Sequence, residues 1–272
     1  MLKKFLKFFL NPWLGKKQFQ PFFRRLYLLS LKGLNAGGAG DFRTSGEKFV
    51  AQYVCKEVAK SISDRSAVLF DVGANVGNYS LLLNKIFEES RQSYLIYSFE
   101  PSSSGFAKLN LQAQAFKNIK TFNLGLSDAD KTAVLFADIG GSELASLYNR
   151  DLVESGIFLD KQETVQLTTL DDFCSQNSIG YIDFLKIDVE GHELAVLRGA
   201  AQMLKTKNIR FLQFEFGGTA IDSRIYFKDF FRLLEKDYNI YRVLKNGLYS
   251  IKTYNESEEI FLTTNYFAEV KK

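Results

Sequence analysis

The sequence predicts an α/β protein: a mostly parallel sheet with helices on both faces and an antiparallel edge. Three observations carry this expectation. From Ser45 to Phe216, short apolar runs of strand length alternate with stretches whose apolar residues fall at helical spacing. A turn containing two glycines, Asp71-Val72-Gly73-Ala74-Asn75-Val76-Gly77, stands where the first such run gives way to a helix. The last strand-like runs follow one another without helices between them, which suits an antiparallel edge.

In chain order, Ser45-Gly46-Glu47 opens a helix in which Phe49, Val50, Tyr53, Val54, Val58 and Ile62 share a face. A buried strand is expected at Ala67–Val72, a helix from about Asn78 to Phe87, a strand at Tyr94–Phe99 and a helix over Ser102–Phe116. A third strand is read at Ile119–Leu124, followed by a polar extended stretch over Lys131–Leu167. Then come a strand at Tyr181–Val189, a helix from Glu193 to Leu204 with Leu194, Leu197, Ala201 and Leu204 facing inward, and a strand at Arg210–Phe216. A helix near Tyr226–Glu235 and strands at Ile240–Leu244, Leu248–Ile251 and Ile260–Thr264 complete the chain. Strand, helix, strand, helix is the beginning of a parallel sheet.

With 272 residues, 46% hydrophobic and 24% charged, the chain can bury a large core, which excludes a disordered protein and a bundle of membrane spans. Its formal charge of +4 is concentrated at one end. Residues 1–40 hold Lys3, Lys4, Lys7, Lys16, Lys17, Arg24, Arg25 and Lys32 and no acid, so the rest of the chain is net acidic and nucleic acid is not an expected partner. Eight aromatics (Phe5, Phe8, Phe9, Trp13, Phe19, Phe22, Phe23 and Tyr27) are interleaved with those cations. We therefore divide the chain into a basic aromatic helical appendage, 1–40, and a domain, 41–272. No apolar run reaches the roughly 18 residues a spanning helix needs. On a helix, Leu2, Phe5, Leu6 and Phe9 oppose Lys3, Lys4 and Lys7, which fits either peripheral contact of residues 1–35 with an anionic membrane surface or packing on the flank of the domain. Cys55 and Cys174, far apart and without a histidine nearby, make neither a disulfide framework nor a zinc site, and a reducing cytoplasm fits best.

Gly73 and Gly77 would let backbone approach a ligand, and the amides of the following helix attract an anion. Asp71, directly before that turn, would repel a pyrophosphate but suits the ammonium and sulfonium of S-adenosylmethionine. Glu100, just past the second strand, can accept both hydroxyls of a ribose, and Pro101 stops the strand there. An NAD-dependent nucleotide-sugar dehydrogenase would use the same acid, and Asp71 speaks against it.

With these residues the chain resembles the FkbM family of S-adenosylmethionine-dependent methyltransferases. The likeness is carried, in family order, by DVGANVG at 71–77, FEP at 99–101, LSD at 126–128, TLDDF at 169–173, DFLKIDVEGHE at 183–193, VLRGA at 196–200 and FEF at 214–216. It implies a class I methyltransferase, Rossmann-like sheet of seven strands with the last antiparallel. It also implies O-methylation, often of sugar hydroxyls in polysaccharide, glycolipid or natural-product assembly. Ser127 and Asp128 resemble the family's loop beside adenine, with a simple turn as the other reading.

Strand periodicity puts Lys186, Asp188 and Glu190 on one face at a strand end, where open parallel sheets bind ligands. Asp188 is expected to face both the methionine end of the cofactor and the acceptor hydroxyl, with Lys186 neutralising part of the acidic cluster. Glu215 ends the neighbouring strand. Asp188 and Glu215 could hold Mg²⁺ or work as bases without it, a choice the residues leave open. His192, the only histidine, follows Gly191 at a helix start, where the dipole would keep it neutral and able to act as a base. Asn75 is placed with the cofactor loop. The polar stretch Ala137–Glu163, containing Ser142, Ser146, Tyr148, Asn149 and Arg150, is read as a lid with substrate contacts. A catalytically silent membrane-associated scaffold would keep the glycines for packing but has no need of Lys186, Asp188 and Glu190 together.

Overall fold

Eleven strands form two sheets in the computed structural model, which describes residues 10–38, 42–61, 65–138, 145–150, 156 and 158–272. An N-terminal helix α1 (Gln20–Gly33) and a short helix α2 (Phe42–Ser45) precede α3 (Glu47–Ala59). The alternating part then runs β1 (Ala67–Val72), α4 (Asn78–Glu89), β2 (Tyr94–Phe99), α5 (Ser103–Ala113) and β3 (Ile119–Phe122). A side sheet is built from β4 (Gly125–Ser127), β5 (Lys131–Ala137) and β6 (Lys161–Thr169), which leads into α6 (Leu170–Gln176). The main sheet resumes with β7 (Ile182–Ile187), α7 (Glu193–Arg198), α8 (Ala201–Lys205) and β8 (Ile209–Phe216). Helices α9 (Thr219–Ser223) and α10 (Phe227–Leu234) precede β9 (Tyr238–Leu244), β10 (Gly247–Ile251) and β11 (Thr264–Val270).

The main sheet has the order β10-β9-β11-β8-β7-β1-β2-β3, parallel from β8 to β3 and antiparallel across β8–β11, β11–β9 and β9–β10. The expected α/β class with an antiparallel edge is what forms. It has eight strands rather than seven, because Gly247–Ile251 adds to the edge. Three further expectations need correction and one is refined. The third strand stops at Phe122, since the chain turns at Asn123 to start the side sheet. Asn123 Nδ2 secures that turn by donating to the carbonyls of Glu100 and Pro101 at 3.0 and 2.9 Å. The polar extended stretch from Lys131 is a strand pair at its ends, residues 131–137 pairing antiparallel with 161–167 and leaving the lid reading to the residues between. The helix expected over Glu193–Leu204 is two helices, broken at Gly199, where a Cβ would overlap the Ser127 carbonyl. The final strand is Thr264–Val270, beyond the apolar run Ile260–Thr264.

Alternation along the strands divides the core between the two faces of the sheet. Phe70, Val72, Phe99, Leu185, Ile187, Leu212, Phe214 and Phe216 pack on one side with α6, α7 and α10. Leu69, Ile96, Phe184 and Phe211 pack on the other with Val50 and Val54 of α3 and Leu83 and Phe87 of α4. On this second side the apolar floor gives way to a transverse polar row. Ser98, Asp71, Lys186 and Gln213 lie side by side across β2, β1, β7 and β8, all buried. Burying such groups is costly unless they are paired. Here Ser80 Oγ donates to Asp71 Oδ2 at 2.6 Å and lies 2.7 Å from Ser98 Oγ, and Gln213 Nε2 donates to Asn265 at 3.0 Å.

Residues 31–37, at the end of α1 and just past it, meet later parts of the chain. Leu31 and Ala36 form a small cluster with Ile260, Gly37 N–H donates to the Thr263 carbonyl at 2.9 Å, and Asn35 Nδ2 donates to the carbonyls of Ser45 and Val243. Among the described residues no helix is long and apolar enough to cross a membrane. The pattern Leu2 to Phe9 lies outside the described residues.

Candidate functional site

The carboxyl ends of β1, β2, β7 and β8 converge on two adjoining cavities. At the end of β1 the chain turns at Gly73 with φ +82°, and a Cβ there would overlap the Asp188 carbonyl oxygen. The glycine is thus required by the backbone of β7 as much as by any ligand. Gly77, at φ +98°, starts α4, and a Cβ on it would come within 2.9 Å of Leu109. Between them Asn75 N–H donates to Glu100 Oε2 at 2.9 Å, while Ser102 N–H donates to Glu100 Oε1 at 2.9 Å. Glu100 is therefore fixed by two amides, and burial pushes its carboxyl above the usual range against their pull. It forms the polar wall of the first cavity with Pro101, Ser102 and Lys108. Leu126, Leu135, Leu147 and Leu167, mostly from the side sheet, form an apolar wall that can take a flat heterocycle.

The second cavity, about 360 Å³, shares Gly73, Asn75, Val76, Asp188 and Glu190 with the first. It is also lined by Glu47, Tyr79, Arg150, Lys186, Glu215 and Asn265. Lys186 Nζ donates to Asp188 Oδ2 at 3.1 Å, lies 3.8 Å from Asp71 Oδ1 and sits 4.6 Å over the Tyr79 ring. Burial opposes its charge, but Asp188, Asp71 and Glu47 outweigh that and hold the ammonium above the ordinary lysine range. Glu215 moves the other way: burial, together with Asp188, Glu190 and Glu193, pushes it well above a normal carboxyl. Glu190, itself at φ +53°, accepts from Arg150 at 3.1 Å, and Arg150 also reaches Asp222 at 3.4 Å.

This order of glycine turn, strand-end glutamate and DVEGHE turn can be set beside known proteins, and the Methyltransferase FkbM domain matches residues 71–242. The chain belongs to the FkbM methyltransferase family. It is similar to Methyltransferase 1 of Beauveria bassiana (strain ARSEF 2860), 26% identical over 162 residues that cover 53% of this chain and 62% of that one. It is likewise similar to Methyltransferase sdnD of Sordaria araneosa, 27% identical over 184 residues, 56% of this chain and 70% of that one. The chain thus spans 62% of the length of the Beauveria relative. Among solved structures it is similar to the FkbM methyltransferase of Methylobacillus flagellatus KT, with a TM-score of 0.44, 14% identity, and coverage of 85% of this chain and 63% of that one. It is also similar to SMU.1697c of Streptococcus mutans in complex with SAH, with a TM-score of 0.45, 9% identity, and coverage of 83% and 98%.

In this FkbM domain several expected contacts are redirected. Asp71 is wholly buried beneath the loop, with Ser80 and Lys186 as partners, so it is not open to a cofactor's cations and burial pushes its carboxyl up. Ser127 and Asp128 do not line the first cavity; Leu126 does. Ser127 Oγ lies 2.9 Å from His192 Nε2, and Asp128 pairs with Lys131 at 2.8 Å, which lowers its pKa. His192 has its other nitrogen 3.1 Å from the Tyr148 hydroxyl. It is 8% exposed, and burial, helped by Lys131, pulls its pKa down to about 4. Both of its nitrogens are engaged, which leaves it a poor proton acceptor. Its position makes it a tie between strand end and lid.

The lid residues Ser146, Tyr148 and Arg150 come down on that turn. Ser146 Oγ donates to the Glu190 carbonyl at 2.7 Å, and Ser146 bridges to Phe136. Ser142 lies outside the described residues. Residues the sequence reading missed are Glu47 and Lys108 in the cavity walls and Glu193, whose Oε1 accepts from Val189 and Gly191 N–H, each at 3.1 Å. For Glu193 the signal was present in the DVEGHE run, whereas Glu47 is contributed by a distant helix. Among the described residues no group of three or more His, Cys, Asp or Glu is arranged to hold a metal ion.

Proposed function

We propose that this chain transfers a methyl group from S-adenosylmethionine to a hydroxyl oxygen, with a sugar of a glycan or glycolipid as the acceptor class. The observation that carries the reading is Glu100. Its carboxylate, pinned by two backbone amides, is presented at a strand end into a cavity with an apolar far wall, and the cavity continues to Asp188. This suits a ribose on Glu100, adenine against Leu126, Leu135 and Leu147, and the amino-acid end over the Gly73 loop. The sulfonium then falls near Asp188, at the junction with the second cavity, which takes the acceptor.

In the reaction, the acceptor oxygen attacks the methyl carbon in line with the breaking sulfur–carbon bond, whose electron pair stays on sulfur. The hydroxyl proton passes to a carboxylate. Asp188 is the group we assign, since it faces both cavities and its charge is balanced by Lys186. Glu215, whose carboxyl is pushed well above the normal range by burial and by Asp188, lines the same cavity and can meet a second acceptor oxygen. Much of the rate comes from alignment. We place the protein in the cytoplasm, with its basic N-terminal segment directed to the inner membrane surface.

Calorimetric titration with S-adenosylhomocysteine and with NAD tests the cofactor. Binding of the first alone is expected, and binding of NAD instead would overturn the reading.

A further inference from the structure

Eight large apolar side chains of the N-terminal segment are exposed: Trp13, Leu14, Phe22, Leu26, Tyr27, Leu28, Leu29 and Leu34. On α1, Phe22, Leu26 and Leu29 recur at i, i+4 and i+7, on the side opposite Leu31, the one residue of α1 buried against the domain. Leu29 is 66% exposed, a large apolar cost in water for a helix of which Leu31 is the one buried residue. The described part of the segment also carries Lys16, Lys17, Arg24, Arg25 and Lys32 and no acid. Apolar residues bordered by cations alone match an anionic bilayer. A second copy of the helix would bring like charges together.

The place where this segment joins the domain is the rim of the second cavity. Gly37 hydrogen-bonds Thr263, which lines that cavity with Ser45 and Thr219, and Asn35 holds the Ser45 carbonyl. Next to these rim residues in the chain are exposed apolar side chains: Leu262 directly before Thr263, Ile221 on the short helix that begins at Thr219, and Leu34 directly before Asn35.

We propose that α1 and this rim lie on an anionic phospholipid surface, so that the second cavity opens toward the bilayer and takes an acceptor anchored in it. The acceptor half rests on the methyltransferase reading. The docking half does not.

The test uses the full chain and phosphatidylcholine vesicles with or without phosphatidylglycerol. The protein should co-sediment at least about tenfold better with the anionic vesicles, and molar salt should weaken this binding. The double variant L26E/L29E, altered only at exposed positions, should lose it while still binding S-adenosylhomocysteine. A fluorophore on Leu262→Cys, with the native Cys55 and Cys174 buried, should shift to the blue when anionic vesicles are added. Vesicle binding without that shift would overturn the placement of the rim. Absence of binding, or a stable dimer in solution that hides α1, would overturn docking. Methyl transfer to water-soluble material at equal rates by wild type and L26E/L29E would overturn the acceptor half. Vesicle binding without S-adenosylhomocysteine binding would instead fault the methyltransferase reading and leave docking intact.

Discussion

Glu100 and Asp188 each stand just past a strand end and His192 at the helix start that follows Asp188, yet their surroundings ask different things of them. Glu100→Ala should weaken S-adenosylhomocysteine binding by about 1.5–3 kcal/mol, the range for hydrogen bonds to a charged group. Glu100→Gln keeps an acceptor for the amide of Ser102 and should lose less; unchanged affinity in a folded Glu100→Ala protein would sink the ribose assignment. Asp188→Asn leaves the shape of both cavities and should bind cofactor within about tenfold of wild type while turnover falls by roughly a hundredfold or more. Turnover at the wild-type rate would remove Asp188 from proton transfer. For His192 the prediction concerns stability. Its folded pKa, about 4, lies below the unfolded value near 6.5, so the unfolded chain binds more protons between those limits. Stability contributed by the neutral ring is full above pH 6.5 and is lost as pH falls toward 4. Urea midpoints taken across that window should fall more steeply with acid for wild type than for His192→Asn, and parallel curves would contradict the burial argument.

At the scale of elements, the turn from β1 into α4 depends on a backbone with no side chain at its pivot. Gly73→Ala must escape φ +82° and the Asp188 carbonyl, and should cost about 3 kcal/mol or more by chemical denaturation. A loss below 1 kcal/mol would mean that β7 can move away. The alternating helices and strands up to Phe99 were legible because each apolar run is short and is followed by helical periodicity. The side sheet was not. Lys131–Ala137 and Lys161–Thr169 alternate only partly, since one face looks to solvent and the other buries just Leu135, Val165 and Leu167 in a small cluster beside the first cavity. Thr264–Val270 was missed for a related reason: its polar residues Asn265 and Glu269 meet Gln213 and Tyr53, and the apolar run just before it is irregular chain whose Ile260 packs on Leu31 and Ala36. The candidate carboxylates were legible as a set at strand ends. Their pairing was not, because Ser80 reaches Asp71 from the following helix and Arg150 reaches Glu190 from 40 residues away, as Tyr148 reaches His192.

Across the whole molecule, the buried row from Ser98 to Gln213 links the sheet to the site through one cation. Lys186→Met would leave Asp71 and Glu47 without their counter-charge, a loss we expect at about 3–5 kcal/mol. The deficit should shrink in mild acid as the carboxyls take up protons, and urea denaturation at two pH values checks both size and direction. A loss that stays constant with pH would assign the lysine a packing role alone. The side sheet has a different whole-molecule consequence. The chain enters it at Gly125–Ser127 and leaves it at Leu167–Thr169, and these two stretches are themselves hydrogen-bonded neighbours. An excursion whose doorway is sealed in this way behaves as a cassette: adding residues to its outer part costs loop entropy only as the logarithm of length. The apolar wall of the first cavity stands inside that cassette, on β5 and β6, while Glu100 stands outside it. Breeding new preferences into this scaffold can therefore proceed by exchanging the cassette, with the carboxylate machinery of the main sheet left as it is.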